Sequence, residues 1–126
     1  MLCVGVDIVS IKRVESLCAK FGERALKRFL NESEIVLAKT PQSIAGFWAA
    51  KEACAKALKC GIGKELGFHD ILVSKSSKGA PILNLTKEKL DYFNVESLSL
   101  SIAHDGGFAI AVVGISLEYE SVLMIL

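Results

Sequence analysis

Residues 40–60 read TPQSIAGFWAAKEACAKALKC and stand out from the rest of this 126-residue chain. The opening threonine–proline pair has the pattern of a helix cap followed by a first-turn proline. A helix is therefore predicted from about Gln42 to Cys60, with Gly61 as its stop. Small residues cover several sides of this helix between bulky ones, and a helix that is apolar around most of its girth is usually wrapped by other elements. We therefore expect it to be central.

The segments around this helix change from helical to strand periodicity along the chain. A strand is predicted over Leu2–Ile8, followed by helices that begin after Ser10 and Asn31, each a suitable capping residue. A short helix or turn is expected over 86–93. Helices come mostly first and strands mostly last, which predicts an α+β fold with an antiparallel sheet packed around the long central helix. The later strands are predicted over residues 71–74, 82–85, 98–103 and 108–115, with a further one suggested by the apolar tail 122–126.

Length and composition favour one domain spanning residues 1–126. The hydrophobic fraction of 52% is at or above the top of the usual range, and self-association could bury the surplus. The longest uncharged stretch, 106–117, is shorter than the roughly 20 residues that span a bilayer. No basic residue precedes the first apolar run, so a signal peptide is not expected. The sequence therefore predicts neither a membrane association nor a secreted protein.

The four cysteines form no C-x-x-C pair, and the chain has only two histidines. A zinc site is therefore not expected, and the cysteines are interpreted as reduced thiols of a cytoplasmic protein.

Basic residues are concentrated between Lys12 and Arg28. This segment holds six basic and two acidic residues, a local charge of +4 within a protein of net charge +1. An acidic protein partner would explain the concentration, and an ordinary solvated helix face would explain it equally well. Nothing in the overall charge points to nucleic acid.

Two carboxylates lie where a metal ion could be held. Asp7 ends the first predicted strand, and Glu52 lies on the central helix. Mg²⁺ often takes one or two carboxylates together with substrate phosphates and water, so the pair could bind it. Asp7 could instead be a turn former, and Glu52 could form a surface pair with Lys56. In the metal-binding alternative, Lys51, Lys56 and Lys59 would supply positive charge for phosphates.

The histidines offer one further candidate. His104 ends a predicted strand just before Gly106 and Gly107, where it could bind phosphate or transfer a proton, or be purely structural. His69 lies in a polar turn, and no role is assigned to it.

Three segments together resemble the signatures of one enzyme family. VGVDIVSIKRVE at 4–15, FWAAKEACAKAL at 47–58 and SIAHDGGFA at 101–109 resemble, in order and spacing, the three signatures of holo-acyl-carrier-protein synthases. These are the small trimeric class of 4′-phosphopantetheinyl transferases. The resemblance covers essentially the whole chain and implies the phosphopantetheinyl transferase fold.

The resemblance implies a catalytic site made of Asp7, Glu52, Lys56 and His104. Asp7 and Glu52 would hold Mg²⁺, Lys56 would contact the phosphates of coenzyme A, and His104 would lie near its pyrophosphate. The glycines that match the loop beside the nucleotide are Gly61 and Gly63.

The same resemblance implies an acidic carrier protein as partner and a homotrimer with sites at subunit interfaces. The residues assigned to the carrier are Arg13, Lys20, Arg24 and Arg28. One departure concerns the loop in which the family usually has Gly-Lys-Pro. Here Ala80 takes the place of the lysine, and Lys78 lies two residues earlier, so it is open whether Lys78 replaces it.

The implied reaction transfers 4′-phosphopantetheine from coenzyme A to a serine of apo-acyl-carrier protein and releases adenosine 3′,5′-bisphosphate. The proton acceptor for the serine is left open between Glu52 and a metal-bound water. The alternative function is a non-catalytic module that docks an acidic carrier protein. That module would explain the basic helix but not the three signatures.

Overall fold

The structure is a computed structural model that describes residues 1–118, so the strand suggested at 122–126 lies outside the described residues. No helix in this part of the chain has the length and apolarity needed to cross a membrane. The strands are β1 (Leu2–Ser10), β2 (Ile71–Lys75), β3 (Pro81–Leu85), β4 (Val95–Asp105) and β5 (Phe108–Leu117). The helices are α1 (Ile11–Phe21), α2 (Glu23–Phe29), α3 (Glu32–Leu37), α4 (Pro41–Ala57) and α5 (Lys87–Phe93), with a short 3₁₀ turn at Phe68–Asp70.

The main sheet has the strand order β1-β5-β4, and both pairings are antiparallel. A separate hairpin joins β2 and β3. Helix α4 packs against one face of the main sheet, where β5 contributes the buried small residues Ala109 and Ala111. The predicted α+β fold, with an antiparallel sheet packed against a long central helix, is therefore confirmed.

Gly5 allows α4 to lie directly on β1. A Cβ atom at this position would lie 2.0 Å from the carbonyl oxygen of Ala53 and 2.6 Å from the amide nitrogen of Ala57. Any larger residue would push the helix away from the strand, because those atoms belong to the backbone. Asp7 is two residues further along β1 and so shares this face, which brings its carboxylate to α4.

The central helix ends earlier than predicted. It stops at Ala57, and the predicted end at Cys60 is wrong. The amide of Lys59 donates to the Lys56 carbonyl oxygen and that of Cys60 to the Ala55 carbonyl oxygen, which is the Schellman pattern. Lys59 takes the left-handed conformation usual for glycine, with φ of 61°. It is therefore not on the helical face of Glu52 and Lys56, as the spacing had indicated.

A buried ion pair ties α4 to the elements around it. The Lys51 ammonium lies 2.7 Å from a Glu34 carboxylate oxygen and donates to the Phe68 carbonyl oxygen at 3.0 Å. Glu34 also accepts the amides of Asn31 and Val73, each at 2.7 Å. Burial lowers the pKa of Lys51, and the Glu34 carboxylate opposes that shift. Four segments thus meet at one buried and hydrogen-bonded pair of charges.

Candidate active site

The two carboxylates singled out in the sequence line the same cavity. This cavity has a volume of about 160 Å³, and we call it the Asp7 cavity. Its lining residues are Asp7, Ile8, Val9, Arg13, Trp48 and Glu52. Asp7 reaches it from the buried face of β1, and Glu52 reaches it from α4. The structure therefore brings Asp7 and Glu52 together, although they are far apart in the sequence.

Lys56 joins this group through Asp7. Its ammonium lies 2.8 Å from the Asp7 Oδ1 atom, and this hydrogen bond raises the pKa of Lys56. The Asp7 side chain is only 15% exposed, whereas that of Lys56 is 54% exposed. A lysine with this much freedom can exchange its carboxylate partner for a phosphate without a change in the backbone.

The donor set of the Asp7 cavity fits Mg²⁺. Its carboxylates offer hard oxygen ligands, and within residues 1–118 no salt bridge holds Glu52. The same part of the chain contains no cluster of three or more histidine, cysteine, aspartate or glutamate residues suited to a metal. A cation here would therefore have two protein carboxylates and take its remaining ligands from substrate phosphates and water.

Trp48 is a wall of the Asp7 cavity that the sequence analysis did not assign to the site. The Arg13 guanidinium carbon lies 5.8 Å from the centroid of the Trp48 ring, and the Phe29 ring lies 4.7 Å from it on centroids. Arg13, predicted to contact the carrier, is therefore also at the edge of this cavity. The signal in the sequence was a tryptophan within an alanine-rich helix, and the structure shows that this side chain is half-buried.

His104 lies away from these residues within one chain. Its Nε2 atom is 2.9 Å from the Gln42 carbonyl oxygen, so this nitrogen carries the proton and donates. The ring also lies against Gly46, near the start of α4, whereas Asp7 meets the helix near its end at Lys56. Strands β1 and β4 are the two edges of the main sheet. Within one chain, β5 therefore lies between His104 and the β1 residues that line the Asp7 cavity.

Lys51, one of the lysines expected near phosphates, is elsewhere. Lys51 is fully buried in its pair with Glu34, so the expectation that it supplies charge to a ligand is wrong. Lys59 lies beyond the end of α4. Gly61 and Gly63 have open space where a side chain would be, and their role beside a nucleotide stays a prediction.

The basic residues of α1 and α2, which we call the basic surface, are all exposed. Arg24 and Arg28 line a cavity of about 300 Å³ together with Leu17, Phe21 and Ala25. The ammonium of Lys20 lies 5.2 Å from the centroid of the exposed Phe21 ring. An apolar groove with cationic edges suits a partner whose surface combines acidic and apolar side chains.

Known proteins match the chain over nearly its whole length. The profile of the 4′-phosphopantetheinyl transferase superfamily matches residues 3–113. Holo-[acyl-carrier-protein] synthase of Helicobacter pylori strain HPAG1 is 63% identical over 114 residues, which cover 90% of this chain and 96% of that protein. The synthase of Wolinella succinogenes is 59% identical over 110 residues, with 87% and 93% covered.

Solved structures agree with these matches. The H. pylori synthase in complex with coenzyme A superimposes with a TM-score of 0.88 at 60% identity, over 90% of this chain and 99% of that one. The Bacillus anthracis synthase, in complex with CoA (3′,5′-ADP), gives a TM-score of 0.78 at 35% identity, over 92% and 96%. Sequence, fold and the convergence of Asp7 with Glu52 therefore place this chain in the 4′-phosphopantetheinyl transferase superfamily, among its holo-[acyl-carrier-protein] synthases.

Proposed function

We propose that the chain transfers the 4′-phosphopantetheine group of coenzyme A to a serine of apo-acyl-carrier protein and releases adenosine 3′,5′-bisphosphate. The observation that carries this proposal is the meeting of Asp7 and Glu52 at one cavity, with Lys56 bonded to Asp7, in a chain with this family membership. The direct test incubates the protein with apo-carrier protein, coenzyme A and Mg²⁺ and follows the mass of the carrier. Binding of the carrier with no mass increase would instead favour a non-catalytic docking module.

The reaction joins the serine oxygen to the β-phosphorus of coenzyme A and breaks the bond from that phosphorus to the leaving bisphosphate. Asp7 and Glu52 would hold Mg²⁺, which supplies neutralisation of the pyrophosphate charge when bound. Lys56 can turn from Asp7 to the phosphate oxygens and stabilise negative charge on the leaving group. Within residues 1–118 no lysine or arginine is paired with Glu52, so it is the carboxylate best placed to take the serine proton.

We assign the basic surface of α1 and α2 to the carrier protein. The four residues predicted for this role are all exposed: Arg13, Lys20, Arg24 and Arg28. Exposed charges act mainly by steering association and by fixing orientation. The four free cysteines suit a reducing compartment, and we place the enzyme in the cytoplasm with its carrier and coenzyme A.

Arg28→Glu is expected to raise the KM for carrier protein about tenfold at low salt and to leave coenzyme A binding unchanged. The reason is that Arg28 lines the basic groove and not the Asp7 cavity. Lys87→Glu is the matched control, since it makes the same charge reversal on the remote helix α5. The difference between the two variants should shrink above about 0.1 M salt, where the screening length falls to roughly 10 Å. Equal KM values for both variants would contradict the assignment of this surface to the carrier protein.

We also propose a homotrimer whose sites combine residues of adjacent protomers. The sheet face opposite α4 presents a row of apolar side chains on β1: Leu2, Val4, Val6 and Ile8 are 71%, 60%, 54% and 58% exposed. An apolar row of this kind favours burial against another protein surface. The separation of His104 from the Asp7 cavity is a second reason to propose shared sites. In a trimer, His104 of one protomer could lie beside the Asp7 cavity of its neighbour.

Complementation tests this assembly. Glu52→Gln and His104→Ala should each be nearly inactive alone, and subunits of both kinds refolded together should regain about a quarter of wild-type turnover, since random mixing joins two intact halves at about one interface in four. Light scattering on the wild-type protein should give the mass of three chains. A fully active monomer, or a mixture no more active than its parts, would contradict shared sites.

A further inference from the structure

Arg13 lies where the basic surface meets the Asp7 cavity. Among the residues that line the cavity, it is the one that belongs to the basic surface. Its side chain is exposed, and within residues 1–118 it forms no salt bridge. The guanidinium carbon instead lies 5.8 Å from the centroid of the Trp48 ring. The direction in which Arg13 points therefore depends on this ring.

Trp48 is itself held in place by other aromatic side chains. It belongs to the central helix α4, and it packs against the core while remaining half-buried. Phe29, at the end of α2, lies 4.7 Å from it on ring centroids and is only 3% exposed. Phe29 in turn meets the Phe68 ring edge-on at 6.1 Å. One tryptophan thus contacts both helices of the basic surface and also lines the Asp7 cavity.

Arg13 has a competing partner in the same cavity. Glu52 lines the cavity together with Arg13, and within residues 1–118 no lysine or arginine is paired with Glu52. Opposite charges attract, and an exposed arginine is long and flexible enough to turn toward a nearby carboxylate. A cation–π contact and an ion pair at a protein surface stabilise to similar extents. Removal of the ring would therefore change which partner Arg13 takes.

We propose that Trp48 is a positioning residue, which keeps the Arg13 guanidinium at the edge of the Asp7 cavity and away from the Glu52 carboxylate. Held in this way, Arg13 stays available to an acidic side chain of the carrier protein, and Glu52 stays available for the reaction. A carrier bound through Arg13 is fixed at the edge of the cavity where its serine must react. This inference rests on the proposed function and on the assignment of Arg13 to the carrier.

Calorimetric titration with apo-carrier protein at low salt tests the proposal, and coenzyme A is left out so that nothing is transferred. Trp48→Leu should weaken carrier binding about fivefold, or about 1 kcal/mol, because it keeps an apolar side chain and removes the ring. Trp48→Phe should retain most of the affinity, since it keeps a ring. Tyr92→Leu is the matched control and should bind as the wild type does. It removes an aromatic ring from beside a lysine, Lys89, on the remote helix α5.

Two combined variants separate positioning from direct contact with the carrier. In an Arg13→Gln protein, Trp48→Leu should change carrier affinity by less than about 1.5-fold, because no guanidinium is left to position. In a Glu52→Gln protein, Trp48→Leu should also have a smaller effect than in the wild type, because the released Arg13 finds no carboxylate at position 52. A merely structural role of Trp48 would not be relieved by removing a charge from a different side chain.

Three results would overturn the assignment. Equal weakening by Trp48→Leu with and without Arg13 would mean that the tryptophan contacts the carrier itself or supports the fold, which thermal melts report. A loss of affinity in Trp48→Phe as large as in Trp48→Leu would mean that a ring is not what holds Arg13. An unchanged effect of Trp48→Leu in the Glu52→Gln protein would exclude Glu52 as the competing partner.

The mass assay for transfer is independent of these titrations. A protein that shows the coupling between Trp48 and Arg13 but modifies no carrier would lose the proposed function and keep this positioning role.

Discussion

Replacing Glu52 with glutamine is expected to lower kcat about a thousandfold while the protein remains folded. The change keeps the size of the side chain and removes the charge, and Glu52 is one of the two carboxylates in the Asp7 cavity. The site would thereby lose a proposed metal ligand and the carboxylate best placed to accept the serine proton. Asp7→Asn should have an effect of similar size for the first of these reasons.

Carrier mass gives the rate in this experiment, and a thermal melt reports the fold. Glu88→Gln is the matched control, because it makes the same substitution at an exposed residue of α5. Each protein should be measured over a range of Mg²⁺ concentrations. Turnover of Glu52→Gln or Asp7→Asn close to that of the control at modest Mg²⁺ would refute the metal assignment.

Replacing Lys51 with methionine is expected to lower the free energy of unfolding by about 3–5 kcal/mol, since Glu34 would keep its charge in the core without a cation. The two side chains are 0% and 2% exposed, so water cannot replace the lost partner. The double variant Lys51→Met/Glu34→Gln should recover part of the loss. Its glutamine oxygen can still accept one of the two amides that Glu34 holds, those of Asn31 and Val73.

Urea unfolding measures these differences. Lys64→Met is the control, because Lys64 is exposed and its loss should change the free energy of unfolding by less than about 0.5 kcal/mol. A Lys51→Met protein as stable as this control would mean that the pair contributes nothing. A double variant less stable than Lys51→Met alone would mean that the hydrogen bonds of Glu34, and not its charge, are what the core requires.

The features that the sequence predicted correctly are those set by neighbours along the chain. Ser10 caps α1 by accepting the Arg13 amide, and α3 begins after Asn31, whose amide donates to the Glu34 carboxylate as in a capping box. The alternation of apolar and small or polar residues predicted the hairpin of β4 and β5, which turns at two glycines with positive φ. Asp7 and Glu52 could be paired as candidates because a carboxylate in an apolar run and a polar position on an apolar helix are both local signals. The predicted place of Asp7 at the strand end is wrong, since β1 continues to Ser10.

The features that it did not predict depend on contacts between distant segments. Lys51 and Glu52 are adjacent charged residues on an otherwise apolar helix, so the sequence did not distinguish their environments. Lys51 enters the core because α3 supplies the Glu34 carboxylate there, whereas Glu52 lines a cavity. Lys59 ends the helix in a conformation that its side chain does not favour, so no composition rule marked it. The contact of Lys75 with the Phe47 ring likewise forms only because the β2–β3 hairpin brings these two residues together.

The pairing of β1 with β5 also governs when the protein can become functional during its synthesis. The ribosome delivers β1 first, yet among the described residues the only strand that pairs with it is β5, in which Ala111 lies opposite Asp7. This contact joins segments about as far apart in sequence as any within residues 1–118, and contacts of this kind are expected to form late in folding. The carboxylate of Asp7 is therefore expected to reach its place in the sheet only after β5 has emerged. An interrupted translation product would contain every residue of the first two signatures and still have no assembled site.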